Sequence, residues 1–534
     1  MTETAQPTAA PEPKSRWGVV IGAILIQLCL GAIYAWSVFT PALKADSPGA
    51  VAAVYDAEQL GISAEKYAAM NKALEAPRKA QKEAAAKIKG ATSDLERKAA
   101  TAAKAAADES IDAIVRAHVS SETLDELAYG FSNSQTQAIF SAGLAAFAVV
   151  MVISGRMMPK VGPQKLAIAG GVVLGAGYVL AGLVGVGDFM TTLVFVGLIG
   201  GAGIGLAYVV PIAVGMKWFP DKKGMISGLA VAGFGFGALL WVYLAGSVGH
   251  LIASLGLGST FWMYGLVFFL MCAIGSVWMK NPPEGWKPAG WEPPAPGGAG
   301  KPAAGSVDFT AGQMLRTPQF YMIFLCFLFG AGAGLMTIGL MKLFPMKAMM
   351  SGGMDWEAAS LAAGTAMAVF FSLANGIGRI AWGTMSDKLG RKTSIAMMLA
   401  TQGVLVICFQ WMAGTPGLLY LGAALIGFNF GGNFALFPSI TADTFGTKYV
   451  GQNYGWVFLS YGVGGIFGPM LGGALGDMGN FALAFTICGV AVLAGAVIIA
   501  LVRHPKVTPA PEASQAEAAT ELAAEAEADG EPEE

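Results

Sequence analysis

The chain reads Phe370-Phe-Ser-Leu-Ala-Asn-Gly-Ile-Gly-Arg-Ile-Ala-Trp-Gly-Thr-Met-Ser-Asp-Lys-Leu-Gly-Arg-Lys392 where a long apolar segment ends. Its arginine, Arg379, stands eight residues before Asp387, with which the following loop begins. At ~1.5 Å per residue, Arg379 lies roughly 12 Å inside the segment, near the middle of a hydrocarbon layer about 30 Å thick. An ionisable side chain at that depth indicates a transport site.

The charge of Arg379 requires a partner, because a guanidinium does not lose its proton when it is buried. No apolar segment carries Asp or Glu near its centre. We therefore expect a substrate anion to meet Arg379 during part of a working cycle. The competing interpretation is a structural arginine that reaches helix-end carbonyls or the acid of the next loop. The depth of Arg379 and the nearby Asn375, which shares its helix face at i, i+4, favour a binding site.

The composition predicts an all-α membrane protein, since 55% of the 534 residues are hydrophobic and only 13% are charged. Twelve apolar segments are long enough to span a bilayer, which predicts two bundles of six helices each. The segments are Trp17–Leu43, Gln135–Ile153, Leu166–Val186, Leu193–Trp218, Met225–Val248, Phe261–Met279, Phe320–Met341, Ala358–Met385, Ser394–Met412, Leu418–Phe437, Tyr449–Leu475 and Phe481–Val502.

The distribution of Lys and Arg over the loops predicts the topology. The insertion at 44–130 is too long to count in the charge rule. Among the other loops, those after even-numbered segments hold nearly all the Lys and Arg, whereas the opposite short loops hold only Lys342 and Lys347. Because positive loops stay on the cytoplasmic side, we expect both termini in the cytoplasm and the chain in the cytoplasmic membrane, among its lipids. The first segment is too long for the core of a cleaved signal peptide, so we expect it to be retained.

The segments divide the chain into two similar halves with an insertion in the first. We expect a cytoplasmic tail at 1–16, a first half at 17–280, a linker at 281–316, a second half at 317–503 and an acidic, disordered tail at 504–534. The insertion, 44–130, is rich in Ala, Lys and Glu, and Ser93 with Glu96 forms a capping box that begins a second helix. We expect a helical hairpin outside the cytoplasm. A tolerated insertion is favoured over one that docks an unknown partner.

Several classes of protein are excluded because the sequence lacks their characteristic motifs. The five cysteines lie in apolar segments at unrelated depths, which argues against a disulfide framework and a metal centre. The sequence contains no phosphate-binding loop and no nucleophilic triad. We therefore expect no enzymatic activity, no cofactor, no metal and no nucleic-acid partner.

A loop motif occurs at the same place in each half. Gly155-Arg-Met-Met-Pro-Lys-Val-Gly-Pro-Gln-Lys165 follows the second segment, and Gly383-Thr-Met-Ser-Asp-Lys-Leu-Gly-Arg-Lys392 follows the eighth. The second copy resembles in full the signature of the major facilitator superfamily, whereas the first has Pro159 in place of the acid. The resemblance implies a gating role through charged bonds at a helix end between the two bundles. The gating residues it implies are Asp387, Lys388, Gly390, Arg391 and Lys392.

Four further strings resemble the oxalate:formate antiporter family, which is related to monocarboxylate transporters. They are Gly31-Ala-Ile-Tyr-Ala-Trp-Ser-Val-Phe39, Lys217-Trp-Phe-Pro-Asp-Lys-Lys-Gly224, Asn281-Pro-Pro-Glu-Gly-Trp286 and Asn453-Tyr-Gly455. In that family an arginine of the eighth span binds the substrate carboxylate, and Arg379 matches it. The oxalate-selective member also uses a lysine in span eleven, where this chain has Tyr461. The candidate ligands are Arg379 and Asn375, with Tyr34, Tyr208 and Tyr461, whose hydroxyls can hydrogen-bond a carboxylate from an apolar cavity. For each tyrosine, packing is the competing interpretation.

The charge at the site favours a monocarboxylate, because one fixed cation neutralises one carboxylate and a dianion would leave a surplus charge at low dielectric. Formate, lactate and pyruvate are all candidates. We expect secondary active transport by alternating access, as antiport against another anion or as proton-linked symport, which the sequence does not separate. The alternatives are an oxalate or dicarboxylate exchanger and a carboxylate receptor that does not transport. A multidrug exporter ranks lower, since such proteins usually carry acids within the membrane.

Overall fold

The computed structural model describes residues 16–91, 93–246, 249–283, 286–288, 291, 308–341, 343–354, 356–503 and 505. Twelve helices in these ranges are long and apolar enough to cross a membrane, and each overlaps the corresponding predicted segment. We call them spans 1 to 12 in chain order: Trp17–Lys44, Ala138–Val161, Pro163–Val184, Phe189–Trp218, Lys223–Ala245, Leu251–Ser276, Pro318–Leu340, Leu361–Leu389, Arg391–Met412, Pro416–Phe445, Val450–Gly476 and Phe481–Leu501. The described ranges contain no β-strand, so the predicted all-α class is confirmed.

Three spans contain a segment of 3-10 or π geometry, and span 6 is kinked at Gly256, whose φ is 77° and ψ 166°. Span 1 has a 3-10 segment at Gly31–Val38, span 4 has a π segment at Leu193–Gly200, and span 8 has a π segment at Ala366–Phe371. Such segments within helices are frequent at functional sites. The 3-10 segment contains Tyr34, and the π segment of span 8 lies one turn before Asn375. Shorter helices outside the spans are Pro48–Val51, Ser121–Leu127, Ala311–Met314 and Leu343–Ser351.

The spans pack as two bundles, as predicted. In the first half, spans 1 to 6, span 3 packs against span 6 and span 1 against span 5. In the second half, spans 7 to 12, span 7 packs against span 11 and span 9 against span 12. In the described residues the halves meet mainly along two seams. At the first, which we call the 5–8 seam, span 5 packs against span 8 and also against the neighbouring span 10; at the second, span 2 packs against span 11.

Glycine pairs bring the backbones together along both seams. Gly224 of span 5 lies against Gly383 of span 8, and Gly155 of span 2 lies against Gly451 of span 11. These pairs are near the end of the bundle at which span 1 begins and span 12 ends, which we call the terminal face. The opposite end, from which the insertion extends, is the hairpin face. A Cβ at Gly228 would collide with the carbonyl oxygen of Arg379, so the 5–8 seam stays tight up to the level of this arginine.

The insertion contains two long helices, Ala64–Gly90 and Asp94–His118. They pack against each other, with Gln81 donating to the Asp108 carboxylate over 2.6 Å. The base of the insertion is bound to span 6, because Gln59 donates to the carbonyl of Ser254 over 3.1 Å. The insertion is thus attached to the first half, and its position outside the cytoplasm stays a prediction.

The described parts of the linker are docked at the terminal face. The Trp286 ring packs on Trp218 of the first half at 4.9 Å between centroids. The Phe309 amide donates to the carbonyl of Phe445 in the second half over 2.9 Å. Residues 1–15, 292–307 and 506–534, which hold most of the predicted tails and the centre of the linker, lie outside the described residues.

The topology is tested by cysteine labelling. Leu95 in the insertion has 78% of its surface exposed, and Lys388 is exposed at the terminal face. We expect a membrane-impermeant maleimide to label Leu95→Cys in intact cells and to label Lys388→Cys only after permeabilisation, because positive loops stay inside. The unsubstituted chain, whose five cysteines lie within the spans, is the control. Labelling of Lys388→Cys in intact cells would contradict the topology.

Candidate substrate site

Arg379 is completely buried where the two halves meet. Its Nε donates to Oδ1 of Asn375, one turn earlier in span 8, over 3.1 Å. Its Nη1 donates to the backbone carbonyl of Val231 in span 5 over 2.9 Å. The Asn375 bond orients the guanidinium within its own half, and the Val231 bond ties it to the other half.

The guanidinium has unused hydrogen-bonding capacity. Its Nη2 is buried without a partner, and no carboxylate of the described residues forms an ion pair with Arg379. The charge instead faces the Phe434 ring, whose centroid lies 4.3 Å from Cζ, and the Phe234 ring at 5.8 Å. Cation–π contacts replace only part of the solvation that a buried charge loses, so the group retains a strong preference for an anion.

The three predicted tyrosines differ in whether their hydroxyl groups have a hydrogen-bond partner. Tyr34 of span 1 and Tyr461 of span 11 form a hydrogen bond with each other, which links the two halves. The hydroxyl of Tyr208 in span 4 is buried without a partner. All three lie within electrostatic range of Arg379. Tyr208 is therefore the one of the three hydroxyls without a hydrogen-bond partner, whereas Tyr34 and Tyr461 share one bond.

Phenylalanine rings surround these polar groups. Phe458 of span 11 lies 5.3 Å from Tyr208 and 5.1 Å from Tyr461 between ring centroids. Phe147 of span 2 lies 5.0 Å from Tyr208, and Phe234 lies 5.1 Å from Tyr34. Rings from both halves exclude water and lower the local dielectric, which strengthens the electrostatic interactions of Arg379.

A charged network joins the halves at the terminal face. The Asp387 carboxylate accepts from the amides of Gly224 and Met225, at the N-terminus of span 5, over 2.9 and 2.7 Å. Asp387 also pairs with Arg391 at 2.6 Å. A carboxylate at a helix N-terminus is favoured by the free amides and by the helix dipole.

Asp443 of span 10 extends this network. It accepts from Lys223 over 2.9 Å and from Nε of Arg391 over 3.0 Å. Of the other predicted gating residues, Lys388 and Lys392 are exposed and Gly390 ends span 8 with φ 87°. Two contacts thus cross the seam, the Asp387 carboxylate on the amides of span 5 and the Lys223–Asp443 ion pair, while Arg391 joins Asp387 to Asp443 within the second half. The sequence singled out neither Lys223 nor Asp443.

Comparisons with known proteins agree with this architecture. The sequence model of the Major Facilitator Superfamily matches residues 113–370 and 344–528. The chain belongs to this superfamily. It is 28% identical over 362 residues to the oxalate:formate antiporter of Oxalobacter formigenes, across 68% of this chain and 80% of the antiporter. It is 24% identical over 503 residues to apicoplast pyruvate carrier 1 of Toxoplasma gondii, across 85% of this chain and 83% of the carrier.

The fold is shared with a solved superfamily member. The human organic anion transporter MFSD10 superposes with a TM-score of 0.54, over 91% of this chain and all of that one, at 12% identity. This similarity shows the fold alone. The membership and the twelve spans establish a multi-pass membrane protein, and members of this superfamily are in general transporters rather than enzymes.

The superfamily loop motif has different chemistry in the two halves. When the first copy, which begins at Gly155, is aligned with the second, which begins at Gly383, Pro159 takes the position of Asp387 and Pro163 that of Arg391. At the corresponding 2–11 seam, Met158 lies against Gly451 and the Arg156 guanidinium lies over the Trp456 ring, 5.1 Å from its centroid. The terminal face is therefore closed by a seam with ion pairs at span 5 and by a seam between spans 2 and 11 where no ion pair is found among the described residues.

Sequence reasoning missed Val231 and Phe434, which contact Arg379, and Tyr454, which lies within electrostatic range of it. Tyr454 is fully buried, and its hydroxyl has no partner. A signal for it was present, because Tyr454 stands seven residues before Tyr461 and so shares its helix face. Nothing in the sequence indicated that a backbone carbonyl, that of Val231, would bind Arg379.

The ionic seam is tested by Asp443→Asn. The substitution leaves Lys223 and Arg391, each 11% exposed, without their shared carboxylate, and removal of one partner from a buried pair is costly. We expect the terminal ends to separate more often, so that a cysteine at buried Ser439, whose hydroxyl lies 3.5 Å from the Lys223 carbonyl, reacts with maleimide roughly tenfold faster. Asp308→Asn, at an exposed loop carboxylate, is the control. An unchanged rate would show that the network does not hold this seam.

Proposed function

We propose that this protein is a secondary active transporter of a small monocarboxylate. The observation that carries the proposal is the Arg379 guanidinium, buried between the halves with Nη2 unpaired and with no ion pair to the described carboxylates. A substrate carboxylate supplies both the missing charge and the missing acceptor. Charge-assisted bonds of this kind are among the strongest that a buried site offers.

The substrate class follows from the charge balance. One guanidinium and one carboxylate leave the site neutral, whereas a dianion adds a negative charge among phenylalanine rings, where desolvation is expensive. The names of two relatives, an oxalate:formate antiporter and a pyruvate carrier, support small carboxylates as a class. Formate, lactate and pyruvate are the candidates.

Transport proceeds by alternating access around this site. Bonds from Arg379 to Val231 and from Tyr34 to Tyr461 link the halves at the site, and the Asp387–Arg391–Asp443 network closes the terminal face, which we place in the cytoplasm. No Asp, Glu or His of the described spans lies at the level of Arg379. Anion exchange needs no such proton carrier, and in symport the proton travels with the acid or through water.

A second candidate is oxalate exchange, which the 28% identity to the oxalate:formate antiporter favours. Tyr461 stands where the oxalate-selective relative is expected to have a lysine, so the second charge of oxalate would be held by hydroxyl groups alone. A receptor that binds a carboxylate without moving it would use the same arginine. Binding without flux would identify a receptor.

The central test is counterflow of labelled formate, lactate, pyruvate and oxalate into proteoliposomes. We expect saturable uptake of a monocarboxylate, reduced roughly 100-fold by Arg379→Ala, because the buried charge-assisted pair is lost. Arg379→Lys keeps the charge without the planar fork and should recover only part of the uptake. Arg316→Ala, in the loop before span 7, is the control. Flux that persists in Arg379→Ala would overturn the proposed site.

The charge argument is tested by Tyr461→Lys. The substitution places a second cation beside Arg379, which penalises a monocarboxylate and compensates a dianion. We expect the ratio of oxalate to formate uptake to rise by about tenfold. Tyr461→Phe is the control, because it also breaks the bond to Tyr34 but adds no charge. An equal change of the ratio in both variants would refute the charge argument.

A further inference from the structure

Two hydroxyl groups near Arg379 are buried without an acceptor. They belong to Tyr208 of span 4 and Tyr454 of span 11, and the Nη2 of Arg379 is the third such donor. Tyr454 lies within electrostatic range of both Tyr208 and Arg379. A buried donor without an acceptor is costly, so three neighbouring ones indicate a ligand that accepts several hydrogen bonds.

Tyr454 faces the meeting point of the two halves. With Phe458 and Tyr461 it follows the i, i+4, i+7 spacing of one helix face. Its ring centroid lies 5.8 Å from that of Phe458, which in turn lies 5.3 Å from that of Tyr208. A phenylalanine at position 454 would pack equally well, as Phe458 does one turn further along. The hydroxyl of Tyr454 therefore calls for a reason other than packing.

Tyr454 and Arg379 lie at different depths in the bundle, measured from the terminal face. Tyr454 lies four residues from Val450, the end of span 11 at the terminal face. Arg379 lies ten residues from Leu389, the corresponding end of span 8. At ~1.5 Å per residue their backbones differ in depth by roughly 9 Å. A carboxylate on Arg379 therefore needs a further oxygen, beyond the carboxyl group, to reach towards Tyr454.

We propose that Tyr454 binds the substrate and, with Tyr208, selects carboxylates that carry an oxygen on the carbon next to the carboxyl group. Such 2-oxo and 2-hydroxy acids bear one negative charge and one additional neutral acceptor. The carboxylate pairs with Nη2 of Arg379, and the second oxygen accepts from the two hydroxyls, one from each half. This inference rests on the proposed function, whose substrate class it narrows.

The test compares pyruvate with propionate, which differ only at the second carbon. In proteoliposomes we measure the concentration of each acid that half-inhibits counterflow of labelled pyruvate. For the wild type we expect pyruvate to be effective at roughly tenfold lower concentration than propionate. Tyr454→Phe should raise the value for pyruvate roughly threefold to tenfold and leave that for propionate unchanged, so that the preference disappears. Tyr208→Phe should give the same loss.

Tyr264→Phe is the matched control, since that buried hydroxyl donates to the Trp241 carbonyl within the first half over 2.7 Å. It should keep the preference of the wild type. Equal inhibition of the wild type by both acids, or a preference that survives both Tyr454→Phe and Tyr208→Phe, would overturn the inference while leaving monocarboxylate transport intact. Absence of counterflow of every carboxylate in the wild type would overturn the proposed function itself, so the two failures are distinguishable.

Discussion

The burial of one guanidinium charge between two helical bundles is the constraint on which the rest of the structure depends. Arg379 cannot release its proton, so the surrounding protein must replace the water that it loses. Asn375 supplies one acceptor from the same half, and Val231 supplies another from the other half. Neither half alone supplies all the acceptors of the guanidinium, and Nη2 has no hydrogen-bond partner. The need for an anion and the contact between the halves are therefore properties of one group.

The terminal face is closed by two seams that are held together by different interactions. Along the 5–8 seam, Asp387 and Asp443 hold Arg391, Lys223 and two backbone amides, so closure depends on charges that are largely removed from water. Along the 2–11 seam, Pro159 occupies the position of the acid, and the glycine pair packs without ionic bonds. The two copies of the loop motif thus share a close glycine contact between the halves, and only the second copy carries a network of ion pairs.

The sequence predicted the features that depend on local periodicity. The twelve spans follow from apolar length, and the Asn375–Arg379 contact follows from the spacing of one helical turn. The contacts between distant parts of the chain were not predictable in this way. Tyr34 and Tyr461 are 427 positions apart, and Lys223 and Asp443 are 220 apart. Such contacts depend on how the two bundles meet, and the spacing of residues along one helix does not determine how the bundles meet.

The geometry of Arg379 also sets the order in which its bonds change. Because Nη1 holds Val231 while Nη2 is unpaired, an anion can bind without first breaking the contact between the halves. Separation of spans 5 and 8 at this level removes the Val231 acceptor, and a bare guanidinium would then lose half of its hydrogen-bond partners. A guanidinium already paired with a carboxylate loses far less. Under the proposed function, a carboxylate at the site therefore lowers the cost of moving the halves apart, which is the coupling that alternating access requires.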